Sequence, residues 1–131
     1  MKSLELTPAA RLLGREIISM DEVAGAITSR FVARPEFLNR HGTVQGGFVS
    51  AMLDSAAGIA LIATLPEDRT AVTTRLDTRF LRPAPAGKLT AKAKVVGRDD
   101  RTVEIEATLE DQAGTIVATA TATMRIVVRR A

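Results

Sequence analysis

The chain has 131 residues, with eighteen Lys and Arg against fifteen Asp and Glu for a net charge of +3. That length suits one domain, residues 1–131, with a core of useful size. There is no Cys and a single His, which excludes disulfides, thiolate metal centres, a Cys nucleophile and any mechanism needing two histidines. No like-charge run forms a basic arm, and four Phe with neither Trp nor Tyr argue against nucleic acid as a partner.

Thr7-Pro8-Ala9-Ala10-Arg11-Leu12-Leu13-Gly14 opens the structured chain. A capping Thr, Pro at the first helical position and Gly at the end predict a short helix. Residues 1–13 lack the long apolar stretch and cleavage site of a signal peptide, so the expected compartment is the cytoplasm. Arg15 to Met20 reads as a strand, Asp21-Glu22 as a turn, and Val23 to Ala33 as a second strand. Val23, Gly25, Ile27, Ser29 and Phe31 would share one face of it, and the two strands should pair as a hairpin. Arg34-Pro35-Glu36 ends that pattern, because Pro cannot serve a central ladder.

A polar loop through Asn39, Gly42 and Gln45 then runs into Gly46–Leu65, a stretch of small and aliphatic residues. Its one ionisable side chain is Asp54. The stretch approaches membrane-spanning length, but Asp54 at its middle, three glycines and the alternating segments after it argue against a span. A helix apolar on every side is a buried helix. A carboxylate within it loses hydration at a cost, so Asp54 is either a satisfied core acid or a functional one.

The second half alternates. Thr70 to Arg82 sets Val72, Thr74, Leu76, Thr78 and Phe80 on one face. Lys88 to Val96 turns Leu89, Ala91, Ala93 and Val95 inward, and Thr102 to Leu109 does so with Val103, Ile105, Ala107 and Leu109. Thr115 to Val128 sets Ala118, Ala120, Ala122, Met124 and Ile126 against Thr119, Thr121, Thr123 and Arg125. Such alternation marks antiparallel strands with one wetted face. The sum is an α+β fold of five or six antiparallel strands curled around one long helix. An edge strand left over must be paired or covered, which favours self-association.

The order of elements, with Asn39-x-x-Gly42-x-x-Gln45-Gly46-Gly47 and Asp54 nine residues after Gln45, resembles the hotdog-fold acyl-CoA thioesterases. The similarity is greatest to the subfamily of the phenylacetic-acid-degradation and Arthrobacter-type 4-hydroxybenzoyl-CoA thioesterases, and Phe80-Leu81-Arg82-Pro83 followed by Gly87 resembles it too. The resemblance implies a hydrolase of acyl- or aryl-CoA thioesters, with no metal and no cofactor beyond the coenzyme A of its substrate. It makes Asp54 the carboxylate that attacks the thioester carbon or activates a water. It makes Gly46, beside Gly47, the backbone donor to the thioester oxygen, and Asn39 the side chain that positions thioester or water. Thr73, or Thr74 beside it, falls at the family's hydroxyl near the nucleophilic water. Arg82, Arg101 and Thr102 fall at positions for coenzyme A phosphates. The common motif is His-Gly-Gly; Gln45 replaces the His, and Gln carries no proton at neutral pH.

Elementary geometry bears on the same residues. Gly46 and Asp54 are eight residues apart, about 12 Å along one helix, so one carbonyl group cannot touch both. The donor and the acid acting on one substrate must come from two copies with antiparallel helices, as in a two-fold homodimer. The family also forms dimers of such dimers. Two other readings compete. One is a non-catalytic acyl-CoA-binding module. The other is a hotdog hydratase or dehydratase, which the missing second His disfavours.

Overall fold

The computed structural model of the chain describes residue 4 and residues 6–130. Helix α1, Pro8–Leu12, begins as its end signals require: the Thr7 hydroxyl accepts from the Ala10 N–H at 3.2 Å. Strands β1, Glu16–Asp21, and β2, Ala26–Ala33, follow as an antiparallel hairpin. A single 3-10 turn, Pro35–Phe37, and the polar loop lead to the long helix α2, Gly46–Ile62. Four strands complete the chain: β3, Arg69–Phe80; β4, Gly87–Arg98; β5, Thr102–Glu110; and β6, Ile116–Val128. They form one antiparallel sheet in the order β1-β2-β4-β5-β6-β3, with α2 against one face.

The inward faces follow the predicted alternation. Leu89, Ala91 and Ala93 of β4, Val103, Ile105, Ala107 and Leu109 of β5, and Ala118, Ala120, Ala122 and Met124 of β6 are all buried. They meet Val49, Met52, Leu53, Ala56, Ala57, Ala60 and Leu61 of α2 in one core. Small alanines on the sheet let the helix backbone come close, and the Leu, Ile and Met side chains fill the remaining space. Each of those larger side chains contributes about 1.5–3 kcal/mol by leaving water.

Four expectations need correction. The second strand begins at Ala26, not Val23. Val23 is 97% exposed in a turn that the Asp21 carboxylate closes by accepting from the Val23 and Ala24 N–H groups, both at 3.0 Å. Helix α2 stops at Ile62, where Ala63 and Thr64 turn the chain and the Thr64 hydroxyl donates to the Leu61 carbonyl at 2.7 Å. The helix is not enclosed on all sides either. Gly47, Ser50, Ala51, Asp54, Ser55, Gly58 and Ile62 form a stripe that is only half-buried or exposed.

The fourth correction concerns β3. Thr73 pairs with Met124 and Arg75 with Thr123, so Thr74 is an extra residue in a β-bulge. The bulge shifts the alternation by one. Ala71 joins Leu76 against the core, whereas Val72 is turned out. A regular strand would have kept Val72 and Leu76 on one face.

Gly25 has φ +68, and a Cβ there would lie 2.8 Å from Val95 Cγ2 and 3.1 Å from Thr64 Cγ2. Gly25→Ala should therefore lower stability by about 1–3 kcal/mol through backbone strain and overpacking. A urea melt reads this directly, and an unchanged midpoint would mean the turn relaxes freely.

Candidate active site

The loop before α2 is braced from several directions. Asn39 N–H donates to the Thr43 carbonyl at 2.7 Å, Gln45 N–H to Phe37 at 2.8 Å, and Val44 N–H to Ala84 at 2.9 Å. Gly42, at φ +79, makes the turn that brings its N–H to the Asn39 carbonyl at 3.1 Å. The rings of Phe37 and Phe48 stack at 4.1 Å, fastening the 3-10 turn to the first turn of α2. The result is a fixed starting point for the helix.

At that point the backbone is open. Gln45 is exposed, and its side chain makes no capping hydrogen bond. The first helical bonds are those of Phe48 and Val49 N–H to the Gln45 carbonyl. The N–H groups of Gly46 and Gly47 therefore have no acceptor among the described residues, as the first amides of an uncapped helix do not. Nothing lies within 4 Å of where a Gly47 side chain would begin, whereas a Cβ on Gly46 would sit 3.3 Å from two ring carbons of Phe80. Unpaired amides at the positive end of a helix dipole suit a developing oxyanion.

Two turns further on, Asp54 lies on the half-open stripe rather than in the sealed core. Its Oδ1 accepts from the Thr73 hydroxyl at 2.7 Å. The bulge at Thr74 is what turns Thr73 toward the helix. The Thr74 hydroxyl itself donates to the Thr123 carbonyl at 3.1 Å. One turn before Asp54, Ser50 donates to the Thr78 hydroxyl at 3.2 Å. Thus β3 is tied to the open side of α2 by two polar contacts.

Asn39 does not reach Asp54 within this chain. Its Oδ1 accepts from the N–H groups of His41 and Thr43 at 2.9 and 3.2 Å, and its Nδ2 donates to the Thr43 hydroxyl at 3.1 Å. The side chain shapes the loop that carries Gln45 and Gly46. Arg82 sits just past β3, near the start of α2, and its N–H donates to the Val117 carbonyl. Arg101 and Thr102 lie at the turn between β4 and β5. Arg101, Arg98 and Arg125 rim a cavity near Leu65, beyond the other end of α2. The sequence-predicted residues therefore fall in two clusters within one chain, one at each end of the helix, with Asp54 and Thr73 between them.

A cavity of about 540 Å³ opens beside Asp54. Thr73, Ser55, Gly58, Leu13 and Met124 line it, as does Arg15, which sequence reading took only as the start of a strand. Arg15 is 8% exposed, and its Nη1 donates to the Ser55 hydroxyl at 3.0 Å. Burial lowers its pKa, though a guanidinium stays charged in proteins. Nothing local marks Arg15 in the sequence, since the fold of α1 and β1 over α2 is what brings it there. Among the described residues no group of three His, Cys, Asp or Glu side chains is placed to hold a metal ion, and no helix is long and apolar enough to cross a membrane.

Thr73→Val keeps the shape of the side chain and removes the donor to Asp54. Turnover should fall about 10-fold while the melting temperature moves little, because a single hydrogen bond to a charged group is involved. Thr73→Ser should restore most of the loss; equal rates in all three would show that Thr73 does not hold the acid.

Residues 41–118 match the thioesterase superfamily model. The structure is similar to a phenylacetic acid degradation-related protein of Ralstonia eutropha, with 40% identity, a TM-score of 0.87, and 91% of this chain and 90% of that one covered. It is also similar to the PaaI protein of the Escherichia coli phenylacetic acid degradation operon, with 28% identity, a TM-score of 0.84, and 92% and 85% covered. A Saccharolobus solfataricus protein described as an esterase is 26% identical over 84% of this chain and 76% of its own length. The chain belongs to the thioesterase superfamily; it is a hotdog-fold thioester hydrolase.

Proposed function

We propose that the protein hydrolyses an acyl- or aryl-CoA thioester at two equivalent sites, each shared between two copies of the chain. The observation that carries this reading is the pairing of a half-buried Asp54, held by Thr73, with unpaired Gly46 and Gly47 amides on the same helix but out of its reach. The two features are about 12 Å apart along α2. Only a second, antiparallel helix brings an amide-bearing end to an acid. The phosphate candidates fit the same arrangement. Arg82 lies at the start of α2 and Arg101 with Thr102 beyond its far end, so reversing one helix against another gathers Arg82 of one copy and Arg101 of the other at one site. Arginine binds phosphate well, and the coenzyme A portion would extend there.

The chemistry follows from the charge that develops. Adding a nucleophile to the thioester carbon puts negative charge on the carbonyl oxygen, which accepts a hydrogen bond from the Gly46 N–H of the second copy, with Gly47 beside it. Asp54 works in one of two ways. Acting as base, it takes a proton from water; the hydroxide adds to the carbon, and collapse of the adduct breaks the C–S bond. The thiolate of coenzyme A then leaves and recovers that proton. Acting as nucleophile, its Oδ2 adds to the thioester carbon, and the C–S bond breaks to release the coenzyme A thiolate and leave an acyl anhydride on Asp54. Water then cleaves the anhydride to the free acid and the carboxylate, while the thiolate takes up the proton. Thr73 fixes Oδ1 in both cases. Gln45 and Asn39 set the loop that presents the amides, and Gln45 donates or accepts hydrogen bonds but supplies no proton.

Asp54→Asn should abolish thiol release from acyl-CoA while the fold persists. Gly46→Pro removes the N–H at a position where Pro fits a helix and should be equally inactive. Mixed and allowed to exchange subunits, the two dead variants should recover about a quarter of wild-type activity, since half the dimers are mixed and each carries one intact site of two. A site contained within one chain would give no recovery.

A further inference from the structure

We infer that Gly58 sets the length of acyl chain this enzyme takes, and that its substrates are thioesters of medium-chain aliphatic acids whose methylenes lie across that glycine. This deepens the reading above and rests on Asp54 acting at the thioester carbon. Gly58 is one turn beyond Asp54 on the same side of α2, about 6 Å along the helix. Both residues line the cavity of about 540 Å³. Nothing in the chain itself calls for glycine at this position. Gly58 lies in the interior of α2 and is not among the glycines with positive φ. A Cβ there would meet one side-chain atom, Met124 Cε, at 3.9 Å, which is ordinary contact. Gly25 differs, since a Cβ there would collide with Val95. A glycine inside a helix also weakens it relative to alanine, through the backbone freedom it loses on folding. The missing side chain therefore serves the space above the helix rather than the backbone beneath it.

Two occupants compete for that space, the second copy's helix and the acyl group, and the register separates them. In the shared site Gly46 of the second copy lies opposite Asp54. Antiparallel helices step in opposite directions, so Gly58 faces position 42 of the second copy, four residues before its helix begins. The second helix therefore does not run across Gly58. The cavity does. From Asp54 it passes Gly58 and Ile59 and reaches Ile62, about 12 Å along α2. That path is longer than a butyryl group and suits a medium chain. Its lining includes Ala51, Ile59, Leu13 and Met124, so each methylene that leaves water against it gains free energy. The three arginines of the cavity do not ask for a charged acyl group. Arg15 is committed to partners within the chain, Ser55 among them. Arg69 is paired with Asp68 at 2.6 Å, and Arg129 is exposed.

The test measures kcat/KM for butyryl-, hexanoyl-, octanoyl- and benzoyl-CoA in wild type, Gly58→Ala and Gly58→Val, with a thermal melt of each protein. Wild type should hydrolyse octanoyl-CoA better than butyryl-CoA or benzoyl-CoA. Gly58→Val should lower the ratio of octanoyl to butyryl about 10- to 100-fold, because its added carbons stand in the path of the longer chain. Gly58→Ala should lower that ratio less and raise Tm by about 2–6 °C, since alanine favours the helix and its Cβ meets no crowding. Loss of long-chain turnover in a more stable protein is a result that a purely structural glycine would not give. If Gly58→Val fails to fold, Gly58→Ala carries the test alone. A wild type that prefers butyryl-CoA or benzoyl-CoA, or an unchanged ratio in the variants, overturns the inference. A lower Tm in Gly58→Ala overturns it too, by showing that packing requires the glycine. So does an equal fall at every chain length, which would place the coenzyme A arm over Gly58 instead of the acyl group. Those failures leave Asp54-dependent hydrolysis intact; absence of hydrolysis in every wild-type arm would remove the underlying reading together with this one.

Discussion

The fold depends on enclosing one apolar helix with one sheet, and on failing to do so along a single stripe. Seventeen residues of α2 cannot stand in water with so little polarity. The sheet supplies a lining of Ala91, Ala93, Ala107, Ala118, Ala120 and Ala122, all buried, that lets the helix sit close. What the six strands do not cover is the line through Gly47, Ala51, Asp54, Ser55 and Gly58. The acid belongs to that line. A carboxylate here keeps part of its hydration and gains the Thr73 hydroxyl, so the fold tolerates it where a sealed core would not.

Most of this architecture was legible because each strand after α2 keeps one face wet, so burial writes itself into the sequence with a period of two. The helix was legible by its lack of charge. The bulge at Thr74 was not, because Thr70 to Phe80 alternates without a break and carries no glycine at the irregularity. Alternation alone placed Thr73 on the outer face, and only the extra residue turns it to Asp54. The family likeness had placed a hydroxyl there without giving the backbone reason. Val23 failed for a related cause: an apolar residue in a strand-like run was caught by the Asp21 carboxylate in a turn, and local hydrogen bonding outweighed the pattern.

The site divides the same way. Asp54 stood out as an isolated charge, and Gly46 and Gly47 as the start of a helix, since both are local properties. Asn39 was visible as a polar loop residue, yet its bonds run to His41 and Thr43, a partnership that spacing alone does not distinguish from contact with a ligand. Arg15 had no signal whatever. It looks like one more basic residue before a strand, and it becomes a cavity wall only when α1 and β1 fold across α2, forty residues away from Ser55 in sequence.

The small side chains of the open stripe have a consequence of their own. If the uncovered line were merely a shortfall of sheet, Leu or Val there would fill space and gain burial from any covering surface. Gly47, Ala51, Ser55 and Gly58 instead keep the helix backbone approachable over three turns, from the unpaired amides past the acid to the cavity beyond it. Close approach is worth little to a solvated face and much to something that must lie flat against the helix, whether a second helix or an extended substrate. One helix thus carries unpaired amides at its start, a carboxylate in its middle and the wall of a cavity toward its end. Amides and carboxylate lie too far apart on this helix to serve one carbonyl, so the function proposed above requires the helix to be used twice, once in each of two opposed orientations.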